Sequence, residues 1–160
     1  MTLTRRFSIA MLSVVAMLGL AAIAQPPGIP ACPTDLLIKA PQLYGRWQVL
    51  IESPPAGMPK IATMTLERHA EFSDSLAGTV ARTFASNSGP RTSHAALAGD
   101  LEDTILILDE SSNNINITGT WNADMVAGSC GKLFKGVWKD TSSNASANAP
   151  DVPFTLRKLP

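Results

Sequence analysis

Two histidines, a short acidic cluster, scattered serines and two cysteines are the side chains in this chain with the means to act on a substrate or hold a metal. His69 stands between Glu67 and Glu71, a trio that could ligate a cation or move a proton. The apolar alternation on either side puts it at a turn between two strands, where a solvated loop histidine accounts for it. No HExxH spacing and no cysteine cluster accompanies it or His94, so no zinc site is expected. The stretch GDLEDTILILDE gathers Asp100, Glu102, Asp103, Asp109 and Glu110, and paired carboxylates can do acid–base work. A solvated turn between strands explains them more simply, and the ligand spacing of an EF-hand loop is missing. No serine lies in G-x-S-x-G, and no strand-turn-helix context exists for a nucleophile elbow. The expectation is a non-enzymatic protein with no catalytic residues, no metal and no cofactor.

The elements that would carry these residues are strands. Apolar residues alternate at period two, not 3.6, through most of the chain. Eight short segments fit: 45–52, 61–68, 75–84, 93–99, 104–109, 115–122, 133–139 and 152–159. Eight antiparallel strands in sequence suit an up-and-down β-barrel, which leaves no open sheet edge; a sandwich is the rival arrangement. In such a barrel the connections alternate between the two ends. The odd-numbered ones (53–60, 85–92, 110–114 and 140–151) are polar or rich in Pro, Gly, Ser and Asn, as loops around a mouth would be. The opposite end receives the entering chain and the connection between the sixth and seventh strands, which carry Cys32 and Cys130.

The first residues set the compartment. Arg5 and Arg6 precede an uncharged run that closes on Ala22-Ile23-Ala24, the pattern of a secretory signal peptide cut after Ala24. A twin-arginine route is disfavoured by Ser8, and lipidation of Cys32 by the prolines at 26, 27 and 30. The domain plan is a signal peptide (1–24), an extended Pro-rich leader (25–44) and a barrel (45–160), in a periplasmic or secreted protein. Removing Arg5 and Arg6 leaves 11 basic against 13 acidic residues, a net charge of −2. With no basic stripe, neither nucleic acid nor, after signal cleavage, a membrane is an expected partner. Two cysteines in an oxidising compartment read as one disulfide, Cys32–Cys130.

Gly45-Arg46-Trp47 opens the first strand. A large ring entering there can plug the base of a barrel, with a glycine beside it to admit neighbouring backbone. Arg157 in the last strand is the expected cation near that ring. On GRW (45–47), GTV (78–80), GVW (136–138) and FTLRKL (154–159) the chain resembles the calycin superfamily of lipocalins, fatty-acid-binding proteins, avidins and bacterial metalloprotease inhibitors. Its strand motifs are most similar to those of avidins. That resemblance implies a small-molecule site inside the barrel, but the polar positions of the avidin pattern fall on Val49, Ser53, Val80, Arg82 and Val152. Trp121 and Trp138 remain as aromatic walls. Tight biotin binding is therefore not expected.

Two functional readings follow. In the first, the barrel mouth takes a small apolar or amphipathic ligand, with Ser53, Met64, Val80, Arg82, Trp121 and Trp138 as candidate contacts and Trp47 and Arg157 as structural residues. In the second, the barrel is a scaffold and the partner is a protein, a secreted hydrolase inhibited through the leader. Thr63 and Thr65 stand near where the inhibitors resembled bear a strand-two cysteine. A continuous void inside the barrel would favour the first reading, and a filled interior the second.

Overall fold

The computed structural model describes Cys32 and residues 37–160; the signal peptide and most of the leader lie outside the described residues. A one-turn helix, α1 (Ala40–Leu43), leads into eight strands: β1 (Gly45–Ile51), β2 (Ile61–Arg68), β3 (Leu76–Phe84), β4 (Arg91–Glu102), β5 (Ile105–Ser111), β6 (Gly119–Met125), β7 (Leu133–Asp140) and β8 (Val152–Lys158). Each strand pairs antiparallel with the next, and β1 also pairs with β8, so the sheet closes as a barrel. Closure gives every strand a neighbour on both sides, and residues 91–95 of β4 run on beyond the end of β5. Among the described residues no helix is long and apolar enough to cross a membrane.

Alternation decides what fills the interior. On β1, Trp47, Val49 and Ile51 are buried while Arg46, Gln48 and Leu50 are exposed. Ala62, Met64 and Leu66 from β2 and Leu76 and Val80 from β3 continue the buried face. Pairing register sets Trp47 beside Met64 on one side and Lys158 on the other. A one-residue slip would turn that entire apolar set to solvent, so register and core specify each other.

The structure departs from the sequence expectation in places: β4 runs from Arg91 to Glu102, past both ends of the expected 93–99. The sixth strand starts at Gly119 and not at 115. The Asn113 side chain accepts the backbone N–H groups of Ile115 and Asn116 at 3.0 and 2.9 Å, and Asn114 adopts φ 57°. Local bonding of this kind competes with a sheet ladder, and it leaves Ile115 84% exposed on a loop. The acidic cluster also does not form a single solvated turn. β4 and β5 form a hairpin closed by Asp103 and Thr104 at the end opposite Glu110. Asp100, Glu102 and Asp103 are exposed near that turn, whereas Glu110 shares the inward face of Leu106 and Leu108 and is buried.

The base of the barrel is sealed by the chain that enters it. The last leader residues are helical rather than extended, and Ala40 and Leu43 of α1 are buried with Ile38. The Trp47 indole N–H donates to the Leu43 carbonyl at 2.8 Å, and its ring meets Phe134 edge-on at 5.9 Å. Gly45 takes φ 120° to bring the chain from helix to strand, a conformation open to glycine. A disulfide joins Cys32 to Cys130 in the β6–β7 connection, with Cα atoms 5.5 Å apart. Arg157 is not the cation at Trp47. It faces solvent opposite Gln48, while Lys158 lies over the ring with Nζ 5.6 Å from its centroid and donates to the Gln42 carbonyl. The reason is alternation along β8: Leu156 is inside, so Arg157 is outside and Lys158 returns to the inner side. Burial first, and neighbouring Lys132 second, pull the Lys158 amine below the usual lysine range.

Candidate functional site

At the opposite end four strands deliver polar or aromatic side chains to one point inside the barrel. Arg82 lies near the end of β3 and Glu110 near the end of β5. Trp121 comes from β6 and Trp138 from β7, cross-strand partners in the register. The two charged groups form a bidentate pair: Arg82 Nη1 donates to Glu110 Oε1 and Nη2 to Oε2, each at 2.7 Å. Both indoles also donate to Glu110 Oε2, Trp121 at 2.9 Å and Trp138 at 3.2 Å. The guanidinium carbon stands 5.5 Å from the Trp121 centroid and 5.8 Å from that of Trp138.

Burial makes this cluster costly to disturb. Arg82 is 7% exposed and Glu110 4%, the two buried charged residues among those described. A charge taken out of water is tolerated when it is paired and hydrogen-bonded, and Arg suits such sites because its planar fork matches a carboxylate. Gly119 makes the arrangement possible. It pairs with Glu110 in the register, and a Cβ there would lie 2.5 Å from Trp138 Nε1. The missing side chain leaves the space through which that indole reaches the carboxylate. Arg82 Nε is buried with no hydrogen-bond partner.

The cluster forms the floor of an open vestibule. A cavity of about 440 Å³ lies above Arg82, Glu110 and Trp138. Its walls are Phe84, Met58 and Val152, and its rim includes Pro55, Ala149 and Pro150 from the β1–β2 and β7–β8 connections. Asp140 adds a carboxylate at the side, where it accepts the Ser142 N–H at 2.9 Å. Below the ion pair the barrel is packed: Trp121, Phe154, Leu108, Val80, Met64 and Val49 are all essentially inaccessible. Trp121 meets the Phe154 ring edge-on at 4.9 Å.

Of the candidate contacts, Arg82 and Trp138 line the vestibule, and Trp121 lies beneath it as a ligand of Glu110. Met64 and Val80 belong to the packed core and do not line it. Ser53 is exposed on the β1–β2 connection and is not part of the lining either. Sequence reasoning missed Glu110. The signal was present, because Glu110 has the inward parity of Leu106 and Leu108 and Arg82 that of Val80. His69 serves its turn: Nδ1 accepts the N–H groups of Glu71 and Phe72, each at 3.2 Å. His94 is exposed on β4. Among the described residues no group of three or more His, Cys, Asp or Glu side chains could hold a metal ion.

No protein-family model matches the chain, and no curated protein matches it in sequence.

Proposed function

We propose that this chain is an exported, non-enzymatic binding module whose barrel mouth takes a small apolar or amphipathic ligand. The vestibule carries the reading: an open, largely apolar recess at the loop end that stops on a few convergent polar groups. Its volume of about 440 Å³ falls in the range of small-molecule sites, roughly 300–1,000 Å³. The closed eight-stranded meander is compatible with the calycin resemblance. Biotin chemistry is not part of the proposal, because Val49 and Val80 are buried and apolar where the avidin pattern needs polar groups. Glu110 already receives four N–H donors, which leaves it poorly placed to take a substrate proton. Export is supported by the leader pattern and by a disulfide of the kind that persists in oxidising compartments.

Protein isolated without denaturation from its own cells is expected to carry a small molecule in native mass spectrometry. Ala149→Trp, which fills the vestibule from a rim loop, is expected to lose it. A second reading, a protein-facing inhibitor, is favoured by the packed interior below the ion pair. Recovery of a stoichiometric protein partner and no small molecule would overturn the first reading in favour of the second.

A further inference from the structure

The polar floor of the vestibule is unequal in what it still offers. Four N–H groups converge on Glu110, matching the roughly four lone-pair sites of a carboxylate. Arg82 has five N–H groups and, among the described residues, spends two of them, both on Glu110. Its Nε is buried without a partner. Both indole N–H groups are already used. The floor therefore has donors to spare and almost no acceptor.

Charge narrows the choice further. Arg82 and Glu110 cancel, and Asp140 leaves the lining with one net negative charge. An anionic ligand would meet Arg82 with a carboxylate already 2.7 Å from it and would lose its hydration to enter. A cationic ligand would be drawn to Asp140 at the side, but it would meet the Arg82 guanidinium at the floor and lose its hydration to enter. A neutral acceptor, such as a ketone, ester or amide carbonyl, avoids both penalties and supplies what Arg82 lacks. Arg82 lines the vestibule and keeps one N–H on each Nη uncommitted, so an acceptor that reaches them gains a charge-assisted hydrogen bond.

We infer that the vestibule is selective for uncharged, apolar molecules of modest size that present a carbonyl-type acceptor to Arg82, between walls formed by Phe84, Met58 and Val152. This inference rests on the reading of the vestibule as a ligand site. The ion pair then acts as a neutral donor platform and not as an anion trap.

Four probes with one ring system separate the possibilities: 2-acetylnaphthalene, 2-ethylnaphthalene, 2-naphthoate and 2-naphthylmethylammonium. Each is titrated calorimetrically at pH 7 into the mature protein and into its Ala149→Trp variant. The ketone is expected to bind at least tenfold more tightly than either ion and severalfold more tightly than the ethyl compound. Ala149→Trp is expected to abolish that binding while the melting temperature stays within a few degrees. If naphthoate or the ammonium compound matches or exceeds the ketone, selectivity for neutral ligands is wrong although the vestibule still binds. If the ethyl compound equals the ketone, the role given to the Arg82 donors is wrong. Failure of all four, or binding that Ala149→Trp leaves untouched, removes the vestibule reading itself.

Discussion

Replacing Arg82 with Met tests the buried cluster most directly. Methionine fills much of the same volume but cannot pair with Glu110, which is only 4% exposed. The carboxylate would keep the two indole donors and lose both guanidinium bonds of 2.7 Å. Breaking a buried pair by removing one partner costs about 3–5 kcal/mol, most of it from the uncompensated charge. For a domain of this size that corresponds to a fall in melting temperature of roughly 10–25 °C. The control is the double variant Arg82→Met/Glu110→Gln. The amide oxygen can still accept from the indoles and no charge is stranded, so at least ~2 kcal/mol should return. Urea denaturation followed by tryptophan fluorescence reads both variants, because Trp121 and Trp138 touch the site. A loss below about 1 kcal/mol in the single variant, or a double variant no more stable than the single, would refute the buried and coupled pair.

The opposite end and its staple give further expected outcomes. Trp47→Ala should cost about 3–5 kcal/mol in chemical denaturation, since the ring is fully buried against Phe134; an unmoved transition would place the ring on the surface. Arg157→Ala should change stability by less than about 0.5 kcal/mol, as exposed substitutions do. Lys158→Ala should cost about 1 kcal/mol through its bond to the Gln42 carbonyl and its packed stem, and equal effects would contradict the assignment of Lys158 to Trp47. Because burial, and Lys132 beside it, hold the folded pKa of Lys158 below the ordinary lysine value of 10.5, the folded chain binds fewer protons between those two values. Wild-type stability should then rise relative to Lys158→Met as pH climbs through that window, and denaturation midpoints measured from neutral pH to pH 10.5 would reveal it. Non-reducing mass analysis should find no free thiol. Cys32→Ser/Cys130→Ser should lose about 4–5 kcal/mol on the chain-entropy estimate for a bridge spanning 98 residues, and an unchanged denaturation midpoint would count against that.

Much of the barrel is legible along the chain, because strand alternation is a local property. Trp47, Val49 and Ile51 announce their shared face by spacing alone, and each strand reads the same way without knowledge of its neighbours. Connection parity, also a counting matter, puts Cys32 and Cys130 at one end, and the bridge between them follows. The extent of β6 was less legible, since side-chain bonds from Asn113 outweigh the apolar spacing of Ile115 and Ile117.

The candidate site depended on pairing across distance. Arg82 and Glu110 are 28 residues apart, and nothing local in GDLEDTILILDE names the guanidinium that would compensate an inward carboxylate. Alternation assigns Glu110 to the inner face, but an isolated carboxylate there would be too costly to accept. Only closure of the barrel, which brings β3, β5, β6 and β7 around one axis, supplies the four donors that make its burial tolerable. The same closure decided the cation at Trp47. Chemistry favoured an arginine, but alternation along β8 turns Arg157 to solvent, and the β1–β8 register then sets Lys158 opposite Trp47. A side chain's face follows from its own strand, whereas its partner follows from which strands the sheet places beside it.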